Sequence, residues 1–303
     1  MKKVLVIVGP TASGKTGFSL EMAEALDGEI ISGDSIQVYR GLDIGSGKIR
    51  PEEMRGIPHH LIDILDPKDH YSAAQFQQDA RYEIDHCAGF PIIAGGTGLY
   101  LKACLYDYQF TEEEEESPAD PEFEQMTSEE LYRLLLERDP KQAEKIHANN
   151  RRRVIRTLTI LKRTGVRQSD AVASQNHEPV YDIFLAGCTM AKEVLHQRID
   201  VRTAMMMEEG LEEEVRNLLA GGVTFDDPCM RGIGYREWKP YFEGLCTADE
   251  VLEEIRKHSR QYAKRQYTWL NHQMPVQWFQ AADPEDRERM KKEILVWAKN
   301  SNG

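Results

Sequence analysis

Cysteine is scarce and unpatterned in this 303-residue sequence. Its five cysteines, Cys87, Cys104, Cys188, Cys229 and Cys246, never fall at C-x-x-C spacing, which argues against a disulfide framework or a cysteine-rich zinc knuckle and points to a reducing cytoplasm. Long apolar runs are missing as well. Met1-Lys2-Lys3 is followed by only five apolar residues before the first glycine, short of a signal-peptide core, and no later run approaches the roughly 20 apolar residues of a membrane span. Positive charge is in deficit. With 38 Lys and Arg against 51 Asp and Glu, the net charge of −13 argues against indiscriminate coating of nucleic acid and leaves recognition to local basic patches. What is present, 41% hydrophobic and 29% charged residues, suffices for one large or two modest globular domains, with a monomer as the default expectation.

Short apolar segments at 4–8, 29–32, 91–94 and 181–188 read as strands, and 15–26 and 73–86 as helices. Their alternation predicts an α/β fold with a parallel sheet flanked by helices and a ligand site at the carboxyl ends of the strands. The pattern breaks at 110–130, where ten acidic residues meet no Lys or Arg; this reads as an exposed linker entering an insertion. Over 141–170 nine Lys or Arg face two acidic residues, and that basic helical stretch is the best electrostatic candidate for a polyanion. After 190 the reading is mostly helical, strongly so at 211–219 and 248–270. The expected organisation is a core of 1–110 and 171–303 with a small helical insertion at 111–170.

Gly9, Pro10, Thr11, Ala12, Ser13, Gly14, Lys15 and Thr16 match G-x-x-x-x-G-K-[ST] between a buried strand and a helix, the context that motif requires. Backbone N–H groups there can wrap phosphate at a helix N-terminus, Lys15 adds a point charge, and the Thr16 hydroxyl suits Mg²⁺. Such a loop recognises a diphosphate, so a nucleotide and another organic diphosphate fit equally. The second strand runs into Asp34, Ser35, Ile36 and Gln37, and the usual neighbour order puts Asp34 at a strand tip beside the phosphate loop. There it can be a general base, an outer Mg²⁺ partner, or only a turn or cap residue. Gln37 carries an amide able to address an adenine edge. The third strand enters a glycine-rich turn at 95–100 that would direct the Thr97 hydroxyl into the cleft, unless its glycines serve tight packing alone.

Adjacent His59 and His60 project in different directions without ligand partners at metal spacing, which favours a structural or substrate-lining role. Arg198 and Arg202, one turn apart on a helix starting near 191, form with Lys192 a cationic face that could pair with acids or close over a diphosphate opposite Lys15. Met205, Met206 and Met207 read as core filler. Arg256, Arg260 and Lys264 recur every four residues, interleaved with Tyr262, Tyr267 and Trp269; the ridge could track a phosphate backbone or be a solvated face.

In order and spacing, the phosphate loop, residues 34–37, 58–63 and 95–100, and segments 149–156, 233–237 and 263–266 resemble the tRNA dimethylallyltransferase family, also called tRNA isopentenyltransferases, over nearly the whole chain. The resemblance implies a P-loop NTPase-like core and transfer of a dimethylallyl group from its diphosphate to N6 of the adenosine 3′ of the tRNA anticodon, without a nucleotide as energy source. It also implies Asp34 as general base, Thr97 as a hydroxyl near the diphosphate, and Arg202 as a diphosphate-binding arginine beside the loop with Lys15. Contacts to the anticodon stem-loop would come from Asp34, Ser35, Ile36, Gln37 and Thr97, from Arg152, Arg153, Val154, Ile155 and Arg156, and from the Arg256, Arg260 and Lys264 ridge. The sequence departs from the family pattern at 45–49, at 156–159, at Lys192, and in a shortened 110–139 stretch. A kinase using ATP in the same loop is the competing enzyme, and a nucleotide-gated binding protein the non-catalytic one.

Overall fold

Strand β1, Lys3–Val8, carries five consecutive residues with no exposed surface, as a strand covered on both faces requires. In this computed structural model, which describes residues 1–110, 120–175 and 177–300, β1 leads through the phosphate loop into α1 (Lys15–Leu26). There follow β2 (Gly28–Gly33), β3 (His59–His60), α2 (Ala73–His86), whose first turn is capped by the Ser72 hydroxyl accepting from the Gln75 N–H, then β4 (Phe90–Gly95) and α3 (Gly98–Leu105). A second stretch contains α4 (Pro121–Gln125), α5 (Ser128–Arg138), α6 (Pro140–Ala143), α7 (Arg151–Thr164) and α8 (Gln168–Ala173). The chain then gives β5 (Asp182–Thr189), α9 (Lys192–Glu208), α10 (Leu211–Ala220), α11 (Lys239–Phe242), α12 (Ala248–Gln273), β6 (Gln277–Gln280) and α13 (Pro284–Lys299).

All six strands pair in parallel in the order β3-β2-β4-β1-β5-β6. The fold is therefore α/β with a parallel sheet flanked by helices, as the alternation predicts. Its neighbour order corrects one expectation. Strand β4 lies between β1 and β2, so Asp34 leaves a strand two positions from the phosphate loop and not beside it; the glycine turn after β4 is the direct neighbour. Strands β3 and β6 escape sequence reading because they are two and four residues long at the sheet edges, with no apolar run to mark them.

By packing, the chain divides into Met1–Leu105 with Pro179–Gly303, and Tyr106–Glu178. The first unit buries Phe18, Met22, Ile92, Phe279 and Ile294 around the sheet, and a second cluster of Leu42, Leu211, Val215, Tyr235, Trp238 and Val251. The second unit closes around Phe123, Leu131, Leu135, Val154 and Leu158. There the expected exposed linker is corrected from residue 120 onward. Asp120 caps α4 and pairs with Lys162, Thr127 and Glu130 form a capping box on α5, and Phe123 is buried, so these polar side chains terminate helices. The acidic run at 112–116 lies outside the described residues. Among the described residues no helix is long and apolar enough to cross a membrane, and the five cysteines are free.

Candidate active site

The phosphate loop owes its shape to backbone that few side chains tolerate. Gly9 has φ +147°, and a β-carbon there would strike the Cys188 carbonyl of the adjacent β5. The Ser13 N–H closes on the Pro10 carbonyl at 3.2 Å, and the first turn of α1 presents the unpaired N–H groups typical of a helix start. Lys15 Nζ folds back onto the Pro10 carbonyl at 2.8 Å. Burial pushes its pKa down to about 8; Cys188 as thiolate and Asp34 oppose this, while Arg202 adds to it. Burial also holds the Cys188 thiol up at about 12, so near pH 8 it is neutral and Asp34 is the charge that steadies the ammonium. Thr16 is exposed at the loop's exit.

Arg202 enters from α9. Its Nη1 donates to Thr11 Oγ1 at 3.2 Å and its Nη2 to the Ser46 carbonyl at 3.4 Å, which suspends the guanidinium between the phosphate loop and the 43–47 loop. Burial lowers its pKa and Asp34 counters that. A β-carbon on Gly47 would collide with this guanidinium, so the glycine leaves it room. Glu214 holds the loop from below, accepting from the N–H groups of Asp43, Ile44 and Gly45 at 2.7–3.1 Å and from the Tyr235 hydroxyl at 2.7 Å. Arg198, one turn earlier, is exposed; the expected common face is split between site and solvent.

Asp34 Oδ1 accepts from the Ile36 N–H at 2.8 Å and, at 3.4 Å, from the Gln37 N–H, so the turn reading is correct for that one oxygen. The carboxylate also acts electrostatically on Lys15, Arg202 and Tyr262, so it lies near all three. Thr97 follows β4; its N–H donates to the Gly33 carbonyl at 3.3 Å, and its hydroxyl is buried without a formal hydrogen bond. Arg202 thus meets the phosphate loop directly, Asp34 lies near both cations, and Thr97 follows the turn that Gln266 joins to that loop.

A profile of the IPP transferase family matches residues 37–273, and one described as isopentenyl transferase matches residues 2–64. The chain belongs to the IPP transferase family. It is 46% identical to the tRNA dimethylallyltransferase of Bacillus subtilis over 301 residues, 97% of this chain and 95% of that one, and 46% identical to that of Bacillus cytotoxicus over 94% and 92%. Among solved structures it resembles the tRNA isopentenylpyrophosphate transferase of Bacillus halodurans (40% identity, 98% and 97% covered, TM-score 0.73). It also resembles a eukaryotic dimethylallyltransferase acting on tRNA (26% identity, 100% and 81% covered, TM-score 0.83). These relatives give no support to the kinase alternative.

Several residues expected at the RNA are otherwise engaged in this IPP transferase. Val154 and Ile155 are corrected to core: 0% and 8% exposed, they pack inside the helical unit, while Arg152, Arg153 and Arg156 face solvent on the same helix. The Gln37 amide is spent internally, accepting from Ser32 Oγ at 3.0 Å and donating to the Ser46 and Gly47 carbonyls at 3.5 and 3.3 Å. Ser35 is partly exposed; Ile36 packs against the second core cluster. The C-terminal ridge is broken by ion pairs, Arg256 with Glu253 at 2.6 Å and Arg260 with Asp200 of α9 at 2.5 Å; Lys264 is exposed. Met206 is core, but Met205 is half exposed. His60 bridges Glu29 and Glu83 at 2.7 and 2.9 Å, a structural role, and among the described residues no cluster suits a metal.

Sequence reading missed three site residues. Gln266 Oε1 accepts from the Thr11 N–H at 2.9 Å and its Nε2 donates to the Gly96 carbonyl at 3.0 Å, tying the phosphate loop to the glycine turn. Tyr262, one turn earlier on α12, faces Asp34 and Thr97. Glu214 supports the 43–47 loop. The 263–266 match was the only signal for the first of these, and it did not say which helix face turns inward.

Proposed function

We propose that this chain transfers a dimethylallyl group from dimethylallyl diphosphate to N6 of adenosine 37, just 3′ of the anticodon of tRNA, giving N6-(dimethylallyl)adenosine. The observation that carries the reading is Arg202 reaching across to the phosphate loop of Lys15, at Thr11 Oγ1, with the Asp34 carboxylate close enough to act on both cations. An exocyclic adenine amine is a poor nucleophile because its lone pair is delocalised. Asp34 would take its proton as the N6–C1 bond forms. The C1–O bond breaks in the same event, and its electron pair leaves with the diphosphate. Lys15, Arg202 and the loop N–H groups would stabilise the charge that grows there.

Mg²⁺ fits the loop: Thr16 places a hydroxyl at the first turn of α1, the hard oxygen donor this ion prefers, and the ion would neutralise diphosphate charge. The adenosine must leave its stack to reach the cleft, which suits recognition of a loop. The middle unit, 106–178, is assigned to the anticodon stem, with Arg152, Arg153 and Arg156 on phosphates, and the enzyme to the cytoplasm where its tRNA resides. Incubation with labelled dimethylallyl diphosphate, Mg²⁺ and unmodified tRNA, followed by nucleoside analysis, tests the assignment; label absent from adenosine rejects it.

Two smaller effects follow from the charges. Affinity for tRNA should fall as salt rises, and Arg152→Ala or Arg156→Ala should each lower the log–log slope by about 1. An unchanged slope would move the RNA site elsewhere. Lys15 is cationic below about 8, so affinity for inorganic diphosphate should drop as pH rises through that value, with proton uptake on binding near it. Calorimetry in buffers of different ionisation enthalpy measures both; affinity flat to pH 10 would contradict the depressed ammonium.

A further inference from the structure

The 43–47 loop is built around an anion that the protein itself supplies. Four consecutive backbone N–H groups converge on two side chains. Those of Asp43 and Ile44 donate to Glu214 Oε2 at 3.0 and 2.7 Å, that of Gly45 to Glu214 Oε1 at 3.1 Å, and that of Ser46 to the Tyr235 hydroxyl at 3.1 Å. An N–H can only donate, so the phenol oxygen accepts from Ser46 and its one proton goes to Glu214 Oε1, at 2.7 Å. Successive amides turned to one point make a concavity suited to a carboxylate. Tyr235 is fully buried, and its ring lies where a β-carbon on Gly45 would stand. Burial and then Glu214 push its phenol well above the ordinary tyrosine range, so it stays protonated. The other side of the loop is the seat of Arg202. The Ser46 carbonyl accepts from Arg202 Nη2 at 3.4 Å and from Gln37 Nε2 at 3.5 Å. Gly47, at φ +60°, lies so close that a β-carbon there would overlap the guanidinium. Any shift of the loop must therefore press on Arg202 or withdraw its carbonyl.

We propose that Glu214 and Tyr235 are positioning residues of the diphosphate site: by holding the 43–46 amides they fix the Ser46 carbonyl and Gly47 against Arg202, and so aim the guanidinium at the leaving diphosphate. The inference rests on the prenyl-transfer reading above for the identity of the donor. Both residues act through Arg202, which reaches Thr11 of the phosphate loop at 3.2 Å. A donor aimed at developing charge is worth most when its place is set before the reaction begins. The loop supplies that placement, and Glu214 with Tyr235 supplies the shape of the loop.

The test is a double-mutant cycle with two readouts, calorimetric affinity for inorganic diphosphate and kcat/KM for dimethylallyl diphosphate in transfer to tRNA. Glu214→Gln leaves one acceptor oxygen where two serve the loop, and turns an NH₂ toward groups that only donate. It should lower both quantities about tenfold, the scale of one hydrogen bond to a charged group, with KM for tRNA unchanged. In an Arg202→Ala background the same substitution should cost less than about twofold, because the group it aims is gone. Additive losses, or a loss confined to KM for tRNA, would overturn the role. Tyr235→Phe keeps the ring against Gly45 and removes only the hydroxyl; it should lose about as much and show the same dependence on Arg202. If Glu214→Gln does not fold, Tyr235→Phe carries the cycle, and a loss independent of Arg202 overturns the proposal. A wild type that transfers no label would reject the prenyl-transfer reading, while the cycle in diphosphate affinity still decides the role of Glu214: coupled losses uphold it and additive ones reject it.

Discussion

Asp34→Asn is expected to leave tRNA binding intact and to lower turnover at least ~10²-fold, the lower end of what a positioned general base supplies. The substitution is clean for a structural reason. The Asp34 oxygen that accepts from the Ile36 and Gln37 N–H groups has a carbonyl counterpart in asparagine, so the turn joining β2 to the 34–37 segment survives. What disappears is the negative charge that faces Lys15 and Arg202 and the basic site for the N6 proton. Single-turnover transfer with saturating dimethylallyl diphosphate, set beside a tRNA binding isotherm, separates the two. Turnover within threefold of wild type would remove Asp34 from the base role and return it to a turn residue.

Arg202→Ala should lower kcat/KM for dimethylallyl diphosphate by about 10² to 10³, the usual loss of one donor aimed at developing charge. Loss should fall mainly on the prenyl substrate. The guanidinium reaches Thr11 and the Ser46 carbonyl at once, a span that depends on a planar fork. Arg202→Lys, with a compact ammonium in its place, should therefore recover only part of the rate despite keeping the charge. Full recovery by lysine would show that charge alone matters; an alanine variant with unchanged kcat/KM would remove Arg202 from the diphosphate site. Because Asp200, two residues earlier, pairs with Arg260 of α12, the seat of α9 is fixed independently, and the alanine variant is expected to fold.

Local signals were legible because they depend on neighbours in sequence. The buried run of β1, the glycine spacing of the phosphate loop and the apolar period of α2 and α12 each lie within one element, and the fold follows them closely. Edge strands β3 and β6 were not, since two to four residues between a helix and a turn carry no period. Side-chain direction was the other loss. Segment 152–156 gave its basic character correctly, but helix rotation sent Val154 and Ile155 inward and the three arginines outward.

From the sequence alone came the diphosphate loop, the parallel α/β scheme and the family resemblance, all encoded in residues a few positions apart. Only the tertiary structure decided that β4 separates β1 from β2, that Arg202 and not Arg198 reaches the phosphate loop, and that Gln266 ties that loop to the glycine turn. The contacts that settle these points join residues 191 and 255 positions apart. No local period records which distant surface a side chain will meet; packing and the need to satisfy buried polar groups select it when the sheet and α12 close over the loop.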